Sequence, residues 1–239
     1  MTVIAGVAGQ PIAHSLSPLI HRAWIAAAGL DADYRAFGPE DEAGFAALVE
    51  EVRAGRLRGL NVTAPFKAAA LALADEVSDT ARLCGSANLL VMEQGRLRAD
   101  STDGTGLLAA LAEQAPALDV RNRPVLILGA GGAARAADLG VGVATPSAVG
   151  TTVLVVNALS APPEIEIGAL RPDAVLMDMT YRPLLTPFLA AGRARGLTTV
   201  DGLAMLIGQA RPSFRALFGL QPPAADVRRL ALEALGETP

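Results

Sequence analysis

Cysteine occurs once in the chain, at Cys84, so no internal disulfide can form. With only two histidines beside it, the soft donors of a structural zinc are too few, and no metal is expected. Positive charge is not in excess either: the formal net charge is -4, which argues against nucleic acid as a partner. Long apolar runs are missing, and none reaches the roughly 18 residues that suggest a membrane span. The high mean hydropathy comes largely from alanine. Residues Met1 to Gly6 carry no basic group ahead of their apolar stretch and read as a buried strand, not a signal peptide, so the cytoplasm is the expected compartment. Lysine is as scarce as cysteine: Lys67 is the only one, and every other basic side chain of the Lys+Arg count of 20 is arginine. The two are not interchangeable, because arginine stays charged at any usable pH whereas lysine can give up and retake a proton.

What is present is the composition of a folded protein. Half of the 239 residues are hydrophobic and 18% are charged, enough for one large domain or two modest ones. Strands are predicted at Val3 to Val7, Tyr34 to Phe37 and Leu60 to Thr63. Helices are predicted from Pro18 to Gly29, from about Glu40 to Ala54, and from Pro65 toward Val77. Ser17 followed by Pro18 reads as an N-cap hydroxyl with proline at the first helical position. Ala87 to Met92 and Leu97 to Ser101, joined by Gln94-Gly95, read as a hairpin. After a helix from about Thr105 to Gln114, the apolar strand Pro124 to Leu128 runs into Gly129-Ala130-Gly131-Gly132-Ala133-Ala134. Further strands follow at Thr152 to Val156, Ala174 to Met177 and Leu197 to Val200. Thr186-Pro187 opens a helix ending at Gly196, and helices from Gly202 complete the chain. This alternation implies an α/β protein with a mainly parallel sheet.

Gly129-x-Gly131-x-x-Ala134 fits the dinucleotide fingerprint directly after a strand, where glycines let the backbone approach a pyrophosphate. Its sequel departs from the pattern. A second strand about 20 residues on should end in a group that reads the ribose, yet Leu139 to Pro163 holds no charged residue. Residues 135–151 leave room for one crossover, not for helix, strand and second helix. Elsewhere, Ser15 and Ser17 flank a helix start and suit a carboxylate or polyol; capping accounts for Ser17 and leaves Ser15 unexplained. Thr63, Lys67, Asn88 and Asp103 stand at or just after strand ends, where a parallel sheet binds ligands. A Lys–Asp couple beside a carbonyl makes a proton donor and acceptor. For His14 loop hydrogen bonding is expected, and for Cys84 packing.

Together the stretches Gly9 to Pro18, Asn61 to Lys67, Ser101 to Gly106, Gly129 to Ala134 and Asp201 to Gln209 resemble the shikimate dehydrogenases over almost the whole chain. The resemblance implies reversible NADP-dependent reduction of 3-dehydroshikimate to shikimate, a step toward aromatic amino acids, by a monomer or homodimer. It implies two α/β domains with the active site in the cleft between them: residues 1–104 with 207–239 as substrate domain, and 105–206 as a Rossmann-like domain that looks truncated. Residue by residue, it makes Lys67 and Asp103 the catalytic pair. Ser15 and Ser17 hold the substrate carboxylate, and Thr63, Asn88, Gln209 and Tyr181 lie about its hydroxyls and ring. Gly129, Ala130, Gly131, Gly132 and Ala133 meet the pyrophosphate, and Asn157, Ala158 and Met205 line the nicotinamide side. Ser101, Leu89 and Arg22 stand where the family has Asn, Thr and Asn. The larger departure follows Arg135, where Ala136-Ala137-Asp138-Leu139-Gly140 reads like the end of a later helix joined to the fingerprint, a discontinuity between about Gly132 and Asp138. Two alternatives are a non-catalytic shikimate- or quinate-binding relative without a working cofactor site and a dehydrogenase of similar build acting on quinate or folates. The serine pair and Gln209 favour a small carboxylated polyol over a folate.

Overall fold

The computed structural model describes residues 2–129, 131–137, 146–159 and 161–237. The chain divides into two compact units, Met1–Thr102 with Ala210–Ala231, and Asp103–Gln209 with Leu232–Pro239. The sequence placed these divisions at 104/105 and 206/207.

The first unit contains β1 (Val3–Ala8), α1 (Ser17–Ala27), β2 (Ala32–Phe37), α2 (Glu42–Arg53), β3 (Gly59–Val62), α3 (Lys67–Leu73), β4 (Glu76–Val77), α4 (Asp79–Cys84), β5 (Leu89–Glu93) and β6 (Arg96–Asp100). Its six strands are ordered β2-β1-β3-β5-β6-β4. β1 pairs in parallel with β2 and β3, and the β5–β6 hairpin joins antiparallel to β3. Gln94 and Gly95 both adopt positive φ, 50° and 79°, as a two-residue hairpin turn matched to strand twist requires. Asp41 caps α2 by accepting from the Gly44 N–H at 2.8 Å, and Ser78 caps α4 by accepting from Ala81 at 3.1 Å. The helix expected to run to Val77 stops at Leu73. Asp75 explains the stop: its carboxylate accepts from the Leu97 N–H and pairs with Arg53, drawing 75–77 onto the sheet edge. The core gathers Leu60, Val62, Leu90, Leu97 and the stacked pair Phe45–Phe66.

The second unit contains α5 (Asp103–Gln114), β7 (Val125–Leu128), α6 (Gly132–Ala137), β8 (Leu154–Asn157), β9 (Val175–Asp178), α7 (Pro187–Ala194), β10 (Thr198–Val200) and the start of α8 (Gly202–Phe218); its last residues end α9 (Val227–Leu235). All four strands are parallel, in the order β10-β9-β8-β7. Alternate residues of each strand feed opposite cores. Val125, Ile127, Leu154, Val156, Val175 and Met177 pack with Leu107, Leu111 and Ala204; Leu126, Val155 and Leu176 pack with Phe188, Leu189 and Leu197. A sheet covered on both faces is why these strands are written as unbroken apolar runs. Residues 132–137 form a short helix, with Arg135 N–H donating to the Gly131 carbonyl at 3.0 Å; Asp138 to Thr145 lie outside the described residues.

Candidate active site

In the first unit the site residues collect at the C-terminal ends of β1 and β3, which run side by side with Ala8 opposite Val62. Gly9 leaves β1 so close to β3 that a Cβ there would lie 2.3 Å from Thr63 Cγ2. With no side chain in the way, Gln10 N–H donates to the Ala64 carbonyl at 3.0 Å, and the 9–16 loop lies against Thr63. Ser15 follows in this loop, and its Oγ accepts from the Ser17 N–H at 3.3 Å. This corrects the expectation at the helix start: Leu16, not Ser17, occupies the cap position, and the hydroxyl serving a free N–H belongs to Ser15. A hydroxyl that accepts one bond keeps its own proton to donate.

Lys67 is the first residue of α3, half-buried just past the end of β3. Its carbonyl accepts from the Ala87 N–H at 3.0 Å, which ties the start of α3 to the segment carrying Asn88. Asn88 is buried, and its Oδ1 accepts from the Thr102 N–H at 2.8 Å while its Nδ2 donates to Thr102 Oγ1 at 3.0 Å. Behind it lies a network that motif reading did not assign. Asn61 Nδ2 donates to the Asn88 carbonyl at 3.1 Å and to Ser213 Oγ at 2.8 Å, and Tyr34 OH donates to Asn61 Oδ1 at 2.8 Å. His21 stacks on Tyr34 with ring centroids 4.1 Å apart. Asn61 and Thr102 were visible inside motifs; Ser213, 152 residues from Asn61, had no local signal.

In the second unit Asp103 begins α5 and is buried, with Gly106 one turn later. A Cβ on Gly106 would lie 2.7 Å from the Met205 carbonyl and 2.9 Å from Gln209 N, so glycine is what lets α5 close on the α8 turn that carries half-buried Gln209. Met205, expected beside the nicotinamide, is largely buried in the core with Val125 and Ile127. Asn157 ends β8; its Nδ2 donates to Asp178 Oδ2 at 3.2 Å and its Oδ1 accepts from Leu159 N–H at 3.2 Å. Asp178 also accepts from Thr186 Oγ1 and from Thr180 N–H, which fixes the turn leading to half-buried Tyr181. Gly129 has φ +128°, and a Cβ there would sit 3.2 Å from the Ala158 carbonyl, so β7 and β8 leave the sheet edge in contact. At Gly131 a Cβ would meet nothing within 4 Å among the described residues. Gly132 and Ala133 begin α6; Ala130 lies outside the described residues.

A nicotinamide dinucleotide finds two different receptions here. Gly129 and Gly131, with Asn157 and Ala158 at the end of β8, are the residues that could meet the pyrophosphate and nicotinamide half, since glycine puts no side chain between a ligand and the backbone. No lysine or arginine occurs from Ala136 to Leu170, the stretch that in the fold's pattern reads the adenosine ribose.

The chain matches the sequence profile of the shikimate dehydrogenase substrate binding domain over residues 7–90. It is 47% identical to a shikimate dehydrogenase (NADP(+)) of Caulobacter vibrioides, covering 98% of this chain and 96% of the relative. It belongs to the shikimate dehydrogenase family. A relative from Maricaulis maris is 42% identical with 98% and 96% coverage. Among solved structures, the shikimate 5-dehydrogenase of Thermus thermophilus in complex with NADP(H) and shikimate superposes with a TM-score of 0.86 at 32% identity, covering 98% of this chain and 100% of that one. Against the Caulobacter relative the alignment spans 276 positions, whereas 98% of 239 residues come from this chain, so roughly 40 positions of that family member face no residue here. The α/β fold in two units, with a parallel Rossmann-like sheet in the second, is that of the family.

Proposed function

We propose that the chain catalyses the reversible NADP-dependent reduction of 3-dehydroshikimate to shikimate, as a cytoplasmic enzyme of aromatic amino acid biosynthesis. The observation that carries this reading is the setting of Lys67: the only lysine of the chain starts α3 at the sheet edge, and its backbone is tied to the Asn88 segment. Bound nicotinamide supplies or accepts the hydride. Lys67 Nζ gives a proton to the oxygen of the carbonyl being reduced and takes it back from the hydroxyl in the reverse direction, with Asp103 as its partner. Ser15 and Ser17 hold the substrate carboxylate; Thr63, Asn88, Gln209 and Tyr181 orient its hydroxyls and ring. The test is shikimate oxidation by the purified chain with NADP+, followed as the appearance of reduced nicotinamide. No product at saturating shikimate and cofactor would end this reading.

The network behind Asn88 leads to a second expected outcome. Ser213→Ala removes the hydroxyl that accepts from Asn61 Nδ2, on the network that holds Asn88. Loss of one buried hydrogen bond is worth about 1 kcal/mol, so KM for shikimate should rise roughly 5- to 10-fold with kcat nearly constant. A fall in kcat at unchanged KM would contradict this positioning role, and Ser213→Thr should restore most of the affinity.

A further inference from the structure

The adenosine end of the cofactor is where this chain departs from the pattern of its fold, and the inference drawn from it rests on the oxidoreductase reading above. In a doubly wound nucleotide fold the fingerprint strand is the first of the order 3-2-1-4-5-6, and the ribose is read at the end of the second strand. Here β7 carries the fingerprint, and β8, β9 and β10 follow it on one side only. They fill the first, fourth, fifth and sixth places. Among the described residues no strand lies on the other side of β7.

Chain length agrees with this order. β8 lies directly beside β7, in parallel register from Val125↔Leu154 to Leu128↔Asn157. Between Leu128 and Leu154 lie 25 residues, of which the described ones form α6 and the short 3-10 turn Pro146–Thr151. One parallel crossover takes a dozen or more residues, so this span serves one connection and not the three that two added strands would need. The chemistry agrees as well, and it does not depend on where residues 138–145 lie. A 2′-phosphate calls for a lysine or arginine, and none occurs from Ala136 to Leu170. A ribose 2′-OH calls for an acid about 20 residues past the fingerprint, and the residues there are Val149, Gly150 and Thr151.

What is retained is the other half. Gly129 and Gly131 keep the backbone approachable, and Asn157, held by Asp178, fixes the turn at Ala158. We propose that this chain grips nicotinamide dinucleotides by their nicotinamide mononucleotide half alone. The 2′-phosphate then adds nothing to binding, NADPH and NADH are held alike, and reduced nicotinamide mononucleotide is held about as well as either.

The experiment is a direct titration of the full chain with NADPH, NADH and reduced nicotinamide mononucleotide, with shikimate binding measured in parallel by calorimetry. The three dissociation constants should agree within about 3-fold, and adenosine 2′,5′-bisphosphate should fail to displace NADPH, because no charge-assisted contact exists to reward the phosphate. NADPH binding 10-fold or more tighter than NADH, or displacement by the bisphosphate, overturns the proposal while leaving the catalytic reading in place. Shikimate binding with no nicotinamide ligand bound at all also overturns it, since the retained half would then hold nothing. Failure of the catalytic reading itself is seen separately, as nicotinamide and shikimate both binding with no product in the oxidation assay.

Discussion

Lys67→Ala is expected to lower shikimate oxidation by about 10³-fold while shikimate affinity changes less than about 3-fold, the signature of a lost proton donor and acceptor. Both halves of the expectation come from position. Affinity survives because the carboxylate and hydroxyl contacts assigned to Ser15, Ser17, Thr63 and Asn88 lie on other segments, and the α3 start is held through the Lys67 backbone, which alanine retains. Turnover collapses because the chain holds no other lysine, and an arginine cannot release a proton at working pH. Lys67→Arg is therefore expected to be nearly as inactive as Lys67→Ala even though it keeps the charge. Comparing the two variants by steady-state rate and by calorimetric shikimate binding separates proton transfer from electrostatic attraction. An unchanged rate in Lys67→Ala would remove this side chain from the mechanism.

The second large effect concerns stability in acid. His21 is buried among Tyr34, Trp24 and Phe214, its Nδ1 has no hydrogen-bond partner among the described residues, and burial lowers its pKa to about 3. The unfolded chain binds a proton at this residue from about pH 6.5 downward, whereas the folded chain refuses it until about pH 3. Stability is therefore complete above pH 6.5 and falls as pH drops through that window. Between pH 7 and pH 4 the loss from this group is about 3 kcal/mol. His21→Phe keeps a ring in the stack and removes the titration, so its urea-unfolding free energy should fall less over the same range, by about that amount. Equal pH dependence of the two proteins would show that His21 is not held neutral. Asp75, Asp119 and Asp173 are each held down to about 2, first by hydrogen bonds from Arg53, Arg121 and Arg171. Their stabilisation is lost only as pH falls through the carboxylate range, equally in both proteins, and cancels in the comparison.

Much of this was legible before any coordinates. The strands with unbroken apolar runs, Val125 to Leu128 and Val175 to Met177, stand where periodicity put them because both faces of their sheet are covered. The helix start at Thr186 stands where its hydroxyl predicted it, accepting from the Leu189 N–H, whereas the short helix capped by Ser78 had not been expected. Local reasoning failed where a distant partner outbid local preference. The alanine-rich stretch after Lys67 favours helix on propensity, yet Asp75 finds Leu97 and Arg53 and the chain turns extended. Ser17 has the right chemistry for a cap, but the loop enters the helix one residue earlier and presents Ser15 instead.

Sequence alone determined the family, the residues that stand at strand ends, the solitary lysine and the stretch from Ala136 to Leu170 without lysine or arginine. Each of these is a matter of residue identity at a given spacing, and spacing along a chain survives without coordinates. Only the tertiary structure decided that Asn88 is held through Asn61 by a serine 152 residues from that asparagine, that His21 is sealed among aromatic rings, and that β7 ends its sheet among the described residues. Those facts depend on which residues meet across long separations, and burial and strand order are set by the packing of the whole unit.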